Sequence, residues 1–396
     1  MPSPVAPLDS LTGLSAARFG VYVHFPYCLS KCPYCDFAST AAKEVPQERY
    51  ARAVLAELDQ RLEGLAAREV HSVYFGGGTP SLWETRQVAR VLEGLAQRLP
   101  IAQRAEVTLE ANPDAADVAR FAGFRAAGIN RLSIGVQSFQ PSTLAALGRA
   151  HDGPTAMRAF HSARAAGFDN VSLDFIYGVH GQSREQAVTD ARTAVALAPE
   201  HLSAYALTLE KEALAEEVPL AKQLARGEVR LPPEEETAAM GHAVREVYEA
   251  AGLKRYEISN YARAGFHSRH NALYWTGGEY LALGVGATGT VGRVRYSNLR
   301  SAEQYLAAVE ARQLPEASRE QLGRAELFAE RVAMGLRLSE GVDLEAACRV
   351  FDVPYGERGR EVERLLAHGM ARKVDGRLVL TEAGADLHSS ISAALI

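Results

Sequence analysis

Tyr22-Val-His-Phe-Pro-Tyr-Cys28-Leu-Ser-Lys-Cys32-Pro-Tyr-Cys35-Asp-Phe37 holds three of the chain's four cysteines in a C-x3-C-x2-C spacing, directly behind an apolar run. Three thiolates in one short loop bind three corners of a 4Fe–4S cube and leave one iron open to an outside ligand. Because such clusters are held by cysteine thiolates, the missing fourth cysteine is informative. Two other readings fit the same loop. A structural zinc ion takes four protein ligands, and His24 is near enough in sequence to supply the fourth. Cys32-Pro-Tyr-Cys35, taken alone, has the form of a glutaredoxin-like redox pair.

The segments around this loop repeat one pattern. A strand at 21–25 feeds the cysteines. Tyr50, Val54, Leu55, Leu58 and Leu62 share one face of a helix over 46–65. Strands are then expected at 71–75, 106–110, 131–136, 171–177 and 202–207. They alternate with helices at about 82–98, 114–127, 141–147, 155–166 and 184–196, and Asn112-Pro-Asp114 reads as a helix N-cap. The strands are almost continuously apolar, so they are parallel and buried on both faces. This gives an α/β fold, a partial (β/α)6 TIM-like barrel.

The expected organisation is a lead-in over 1–20, a barrel core over 21–235 with a charged surface excursion from 211, and an extension over 236–310. The extension holds a helix at 237–251, the run His267-Ser-Arg-His270-Asn271-Ala-Leu-Tyr274-Trp275 and a glycine-rich tail. From 311 the chain reads as a C-terminal winged-helix-like α+β module. Three helical segments (324–338, 343–351, 357–368) precede a hairpin turned at Asp375-Gly376. A formal net charge of −5 provides no basic field for nucleic acid, so the module is read as a docking or structural unit.

Four cysteines in 396 residues make no disulfide framework, and three clustered thiols point to a reducing compartment. No signal peptide is recognised in the first 20 residues, and no apolar run approaches the roughly 20 residues of a spanning helix. A cytoplasmic protein is expected, with weak peripheral membrane contact left open. Nothing in the sequence specifies an oligomeric state.

In a parallel barrel the strand ends share one rim, and that rim carries the site. The cysteines follow the first strand and Gly76-Gly-Gly78-Thr79-Pro80 follows the second. Glu110 ends the third, Gln137 the fourth, and Asp174 lies in the fifth. The glycine run lacks the spacing of a P-loop or a dinucleotide fold; it allows close backbone approach and suits an amino-acid head group.

The cysteine loop with Gly-Gly-Gly-Thr-Pro resembles the radical S-adenosylmethionine enzymes. Tyr22-x-His-x-Pro-x-Cys28, Gly135-Val-Gln-Ser-Phe139, Leu147-Gly-Arg149-x-His151 and Leu173-Asp-x-Ile-Tyr-Gly178 resemble the oxygen-independent coproporphyrinogen III oxidase group within them. The resemblance implies that Cys28, Cys32 and Cys35 ligate a 4Fe–4S cluster. It implies that S-adenosylmethionine chelates the open iron and, on one-electron reduction by an electron donor, yields a 5′-deoxyadenosyl radical. Tyr22, Tyr34, Gly77, Gly78, Thr79, Glu110, Gln137, Arg149 and Asp174 match the group's nucleotide-binding positions. Glu110 is suited to the ligand ammonium and Arg149 to a carboxylate. A structural Arg149–Asp174 ion pair is the competing reading.

Two branches of the group differ at one position. The decarboxylating enzymes resemble C-x3-C-x2-C-x-C, whereas this chain has Phe37 at the last place. Cys35-Asp-Phe37 and His270-Asn-Ala-Leu-Tyr-Trp275 resemble the heme-chaperone branch, which implies heme and heme-accepting respiratory or iron-storage proteins as partners. The runner-up is the radical decarboxylase, or a radical enzyme on an unrelated substrate. His270, Asn271, Tyr274 and Trp275 are the heme candidates, with His270 as a suitable axial ligand and the aromatics as packing surfaces. The bland alternative for His270 is a satisfied core histidine. One departure is Thr288, where relatives carry His in a Gly-Ala-His-Gly turn; His267 is the nearby substitute.

Overall fold

The computed structural model describes residues 19–396 except 64, 67 and 210–217. Most of the expected lead-in, and the first part of the charged excursion, lie outside the described residues.

The barrel is the alternation β1 (Phe19–Phe25), α1 (Gln47–Leu62), β2 (Val70–Gly77), α2 (Thr85–Arg98), β3 (Ile101–Ala111), α3 (Val118–Ala126), β4 (Arg131–Gln137), α4 (Pro141–Ala146), α5 (Gly153–Ala165), β5 (Val171–Tyr177), α6 (Arg184–Ala196) and β6 (His201–Ala206). Each strand pairs in parallel with the next, so sequence order is spatial order. The cause is apolar content. Val23, Phe75, Leu109, Ile134, Leu173 and Leu202 share one apolar core with helix side chains such as Val54, Val91, Phe124 and Phe160, so the helices cover this face, and the polar residues of the other face line the barrel's interior. Helix starts are capped as the residue types require. Asp152 accepts from the Thr155 N–H, and Ser183 with Gln186 forms a capping box on α6. The cap expected at Asn112 is not made by its side chain; Asp117 caps α3, accepting from the Arg120 N–H.

After α7 (Pro219–Ala225) and α8 (Glu234–Ala250), the strands β7 (Lys254–Glu257) and β8 (Asn260–Ala262) add antiparallel to the β6 edge. Then come α9 (Arg269–Thr276), β9 (Glu279–Gly284), β10 (Thr288–Val291), β11 (Val294–Asn298), α10 (Ala302–Glu310) and β12 (Glu316–Gln321). β9 is the unexpected element. It pairs in parallel with β1 on the side away from β2, and β10, β11 and β12 continue antiparallel from it. The result is one twelve-stranded sheet, β12-β11-β10-β9-β1-β2-β3-β4-β5-β6-β8-β7. The supposed glycine-rich tail is therefore sheet, and the sheet passes the boundary expected at 310.

Glu57 of α1 locks this extension down. Its fully buried carboxylate accepts from the Gly284 N–H (2.8 Å), Asn298 Nδ2 (2.7 Å), the Tyr305 hydroxyl (2.7 Å) and Arg61 Nε (2.7 Å). A buried charge is tolerable only when so completely bonded.

The C-terminal module forms α11 (Arg324–Gly335), α12 (Leu344–Phe351), α13 (Gly356–Ala367) and the hairpin β13 (Ala371–Val374) and β14 (Arg377–Leu380), as expected, then two short helices. It has its own apolar cluster, centred on Val332, Leu344, Phe351, Val362 and Leu378. An ion pair from Arg337 Nη2 to buried Glu257 (2.9 Å) ties it to the barrel.

Candidate functional site

The C-terminal ends of the barrel strands enclose a cavity of about 310 Å³. All three loop thiols face it, together with Tyr34, Gly77, Gly78, Thr79, Glu110, Gln137, Arg149 and Asp174. Residues far apart in sequence thus share one wall, because parallel strands present their ends on one rim. Tyr22 does not reach it. That ring lies beneath the cavity, stacked on Tyr74, with its hydroxyl on His24 Nδ1 (3.0 Å).

The cysteine loop is held by short-range bonds. Tyr27–Cys28 pairs with Thr40–Ala41, and the Cys35 N–H donates to the Cys32 carbonyl (3.1 Å). Burial pushes the Cys28 and Cys35 thiols up. Among the described residues, no group of three or more His, Cys, Asp or Glu side chains forms a ready-made site for a metal ion. The zinc reading fails on His24. Its Nδ1 is taken by Tyr22, its Nε2 lies 3.0 Å from the Ala38 carbonyl, and it does not line the cavity. The glutaredoxin reading fails because a third thiol shares the cavity and the scaffold is a (β/α) barrel. Three soft donors beside an open cavity fit a cluster with one free iron.

The glycine run acts on the loop itself. The Gly78 N–H donates to the Phe25 carbonyl and the Thr79 N–H to the Tyr27 carbonyl, so these groups are not free for a ligand. A Cβ on Gly78 would stand 2.8 Å from the Tyr27 oxygen and 3.0 Å from Cys28 Sγ. Gly77, at φ +114°, leaves no room for a side chain over His24.

Glu110 accepts from the Tyr74 hydroxyl (2.8 Å) and the Gly77 N–H (3.1 Å). Burial pushes its carboxyl up to about 7, with the nearby Asp174 charge adding to the rise. Arg149 donates to Asn112 Oδ1 (2.9 Å), the Gly135 carbonyl (2.9 Å) and Cys32 Sγ (3.5 Å), and its buried Nε has no partner among the described residues. The Arg149–Asp174 ion pair is not formed. Asp174 accepts instead from Ser133 (2.7 Å), Ser172 (3.1 Å) and Ser203 (2.7 Å). Gln137 sits at φ +64°, the strained backbone often found at ligand sites. A carboxylate for an ammonium and a buried guanidinium with a spare N–H for a carboxylate lie on one wall, which fits a zwitterionic amino-acid head.

Sequence reasoning missed Asn112, Tyr74, Arg131, His201, Ser203 and Tyr205, which line the same cavity. Asn112 was visible only as a cap. It bridges Thr79 Oγ1 (3.1 Å) and Arg149, joining the glycine turn to the guanidinium.

The heme candidates fall on α9, begun by Ser268 accepting from the Asn271 N–H and ended by Gly277 at φ +66°. Asn271 lines the first cavity. Tyr274 and Trp275 line a second one, of about 730 Å³, which Thr288 also borders. His270 lines neither. It is fully buried, with Nδ1 2.9 Å from Ser72 Oγ and Nε2 3.0 Å from the Tyr274 hydroxyl, and it stacks on Tyr74. Burial pushes its pKa down to about 3. As placed it has no free nitrogen for iron, and the geometry is that of a satisfied core histidine. His267 Nε2 is buried without a partner among the described residues, and His267 is on neither cavity wall.

Comparison with known proteins places the chain in a family. Residues 22–194 match the Radical SAM superfamily and residues 322–387 the HemN C-terminal domain. The chain is 37% identical to "Heme chaperone HemW" of Mycobacterium tuberculosis strain H37Rv, covering 98% of this chain and 97% of that one. It is 40% identical to the protein of that name from Escherichia coli K12, over 68% and 70% of the two chains. Its fold superposes on coproporphyrinogen III oxidase (HemN) from Escherichia coli with a TM-score of 0.82 at 21% identity, over 99% of this chain and 91% of that one. The likeness at that identity concerns the fold alone. With a thiol loop, a head-group wall and near full-length relatives in agreement, the chain belongs to the HemW heme-chaperone family of the radical SAM superfamily.

Proposed function

We propose that this protein binds heme and delivers it to apo-acceptor proteins, with a 4Fe–4S cluster and S-adenosylmethionine in the first cavity. The observation that carries the reading is the position of α9. Asn271 faces the thiol cavity, while Tyr274 and Trp275, three and four residues on, face the larger one. One helix thus touches both a cofactor site and a cavity of the 300–1,000 Å³ usual for small-molecule ligands. Phe37, 57% exposed at the rim, stands where the decarboxylating branch has a further cysteine.

Cys28, Cys32 and Cys35 would hold the cluster. Glu110 would take the ammonium of S-adenosylmethionine and Arg149 its carboxylate, while Asn112 keeps Arg149 and Thr79 in register. When bound, the two cofactors supply one-electron chemistry that the protein itself lacks. The side chains bind and orient, and the buried walls exclude water. The electron donor and the acceptor are separate proteins in this reading, and the compartment is the reducing cytoplasm.

The test is an anaerobic heme titration with and without a reconstituted cluster, followed by transfer to an apo-acceptor. A Soret band on the protein and its appearance on the acceptor are expected. Anaerobic conversion of coproporphyrinogen III to protoporphyrinogen would favour the decarboxylase. Absence of any Soret change would remove the heme claim.

A further inference from the structure

The second cavity lies between α9, the sheet extension and α11. Trp275, Tyr280, Leu327, Met334 and Phe351 give it a largely apolar lining. Against that lining stands Arg331, a guanidinium only 4% exposed. It packs on Gly277, where a Cβ would come within 2.0 Å of Nη2, and among the described residues its guanidinium has one hydrogen bond, a long one to the Gly277 carbonyl (3.3 Å). Its Nε and Nη1 are buried with no partner among the described residues. The adjacent acid, Glu330, pairs with both terminal guanidinium nitrogens of Arg295 and offsets the burial of Arg331 only through its charge, without bonding to it. The Trp275 indole N–H is a further buried donor without a partner among the described residues. Arg337, fixed by Glu257, lies 4.5 Å from the indole ring.

A buried cation without a counter-ion is costly, and the cost falls when an anion arrives in its plane. Burial pushes the Arg331 guanidinium down to about 10, so it still carries its charge at neutral pH. Nε and Nη1 lie on different edges of the guanidinium, each beside Nη2, so a carboxylate approaching either edge meets one unpartnered N–H, and an apolar body suits the walls.

We infer that the second cavity binds a large apolar ligand through a carboxylate, with Arg331 as its anchor. Resting on the function proposed above, the ligand is heme and Arg331 holds a propionate. Long-chain fatty acids share this chemistry. The site joins the sheet extension to the C-terminal module, so a bound ligand touches both. It does not require His270 as a ligand.

The experiment titrates heme, heme dimethyl ester and palmitate into the full chain without a reconstituted cluster, following the Soret band for the first two and calorimetry for palmitate. Arg331→Met is expected to weaken heme binding at least tenfold, and Arg331→Lys less. The ester, whose propionates are capped, is expected to bind wild type about as weakly as heme binds Arg331→Met. The melting temperature of Arg331→Met should hold or rise, because an unpaired buried charge is removed. Unchanged heme affinity in a folded Arg331→Met, or equal binding of ester and free acid, overturns the site. If wild type binds no heme, the function proposed above fails on its own, and palmitate decides the cavity. Palmitate binding that is lost in Arg331→Met sustains a carboxylate site, and no palmitate binding overturns it.

Discussion

The two cavities differ in how their carboxylates and guanidinium groups are held. In the first, the carboxylates and most of Arg149 are engaged by the protein: Asp174 by three hydroxyls, Glu110 by Tyr74 and a backbone N–H, Arg149 by Asn112 and a carbonyl, while buried Arg131 on the same wall keeps an Nε without a partner among the described residues. In the second, the buried Arg331 guanidinium has only a long bond to a carbonyl and the Trp275 indole N–H has no partner among the described residues. The first is a cradle whose side chains are bonded to one another. The second holds a charge whose burial is fully offset only when a partner fills it. Preorganisation of the first kind suits a cofactor that must be held in one orientation. Frustration of the second kind suits a cargo that is taken up and released.

The largest expected effect separates the cavities outright. Cys28→Ala should abolish cluster assembly, with iron after reconstitution falling from about four per chain to near zero. Heme affinity should stay within about threefold, because the second cavity shares no lining residue with the thiol loop. Parallel loss of heme would show that the two cavities are one unit.

Next is Glu110→Gln. Loss of a charge-assisted bond costs about 1.5–3 kcal/mol, so S-adenosylmethionine should bind about ten- to a hundredfold more weakly by calorimetry. The sign with pH follows from the raised carboxyl. Above about 7 Glu110 is ionised and takes the ammonium. Below it the group is protonated, and affinity should fall by up to about tenfold per pH unit. A pH-independent affinity in wild type would remove Glu110 from this role, whereas Glu110→Gln should have a flat profile.

His270→Ala tests the residue between the cavities. Ser72 and Tyr274 would lose their buried partner at about 1–3 kcal/mol for each group left unsatisfied, so denaturant unfolding should shift to lower concentration. The Soret position should not move; a shift would restore His270 as an axial ligand. The smallest effect belongs to Tyr274→Phe. Removing its hydroxyl leaves one buried group, His270 Nε2, without that partner at about 1–3 kcal/mol of stability, with heme affinity changed less than about fivefold.

Much of the barrel was legible because each strand carries a regular apolar face and is punctuated by glycine, proline or a capped helix. β5 and α6 emerged at their expected bounds. β9 did not, although Leu281-Ala-Leu283 is the same kind of run as its neighbours. Gly284 and Gly286 made the segment look like a tail, and nothing local says that a strand near 280 pairs with one near 20. α9 carried readable signals, Ser268 before it and Gly277 after it, but its unusual composition drew attention to chemistry instead. The same effect misplaced His270. A histidine beside aromatics suggested a ligand, while burial and two ring-nitrogen partners made it part of the core.

By itself the sequence determined the thiol loop, the strand–helix order and the rim on which Glu110, Gln137, Arg149 and Asp174 gather, because parallel strands in sequence order leave no freedom in where their ends lie. Only the tertiary structure decided that Tyr22 and His24 lie beneath the site, that Asn112 serves Arg149 rather than a helix, and that Arg331 is unpaired. Those facts depend on which partners reach a buried polar group, and partners dozens to hundreds of residues away are chosen by packing, to which no local pattern responds.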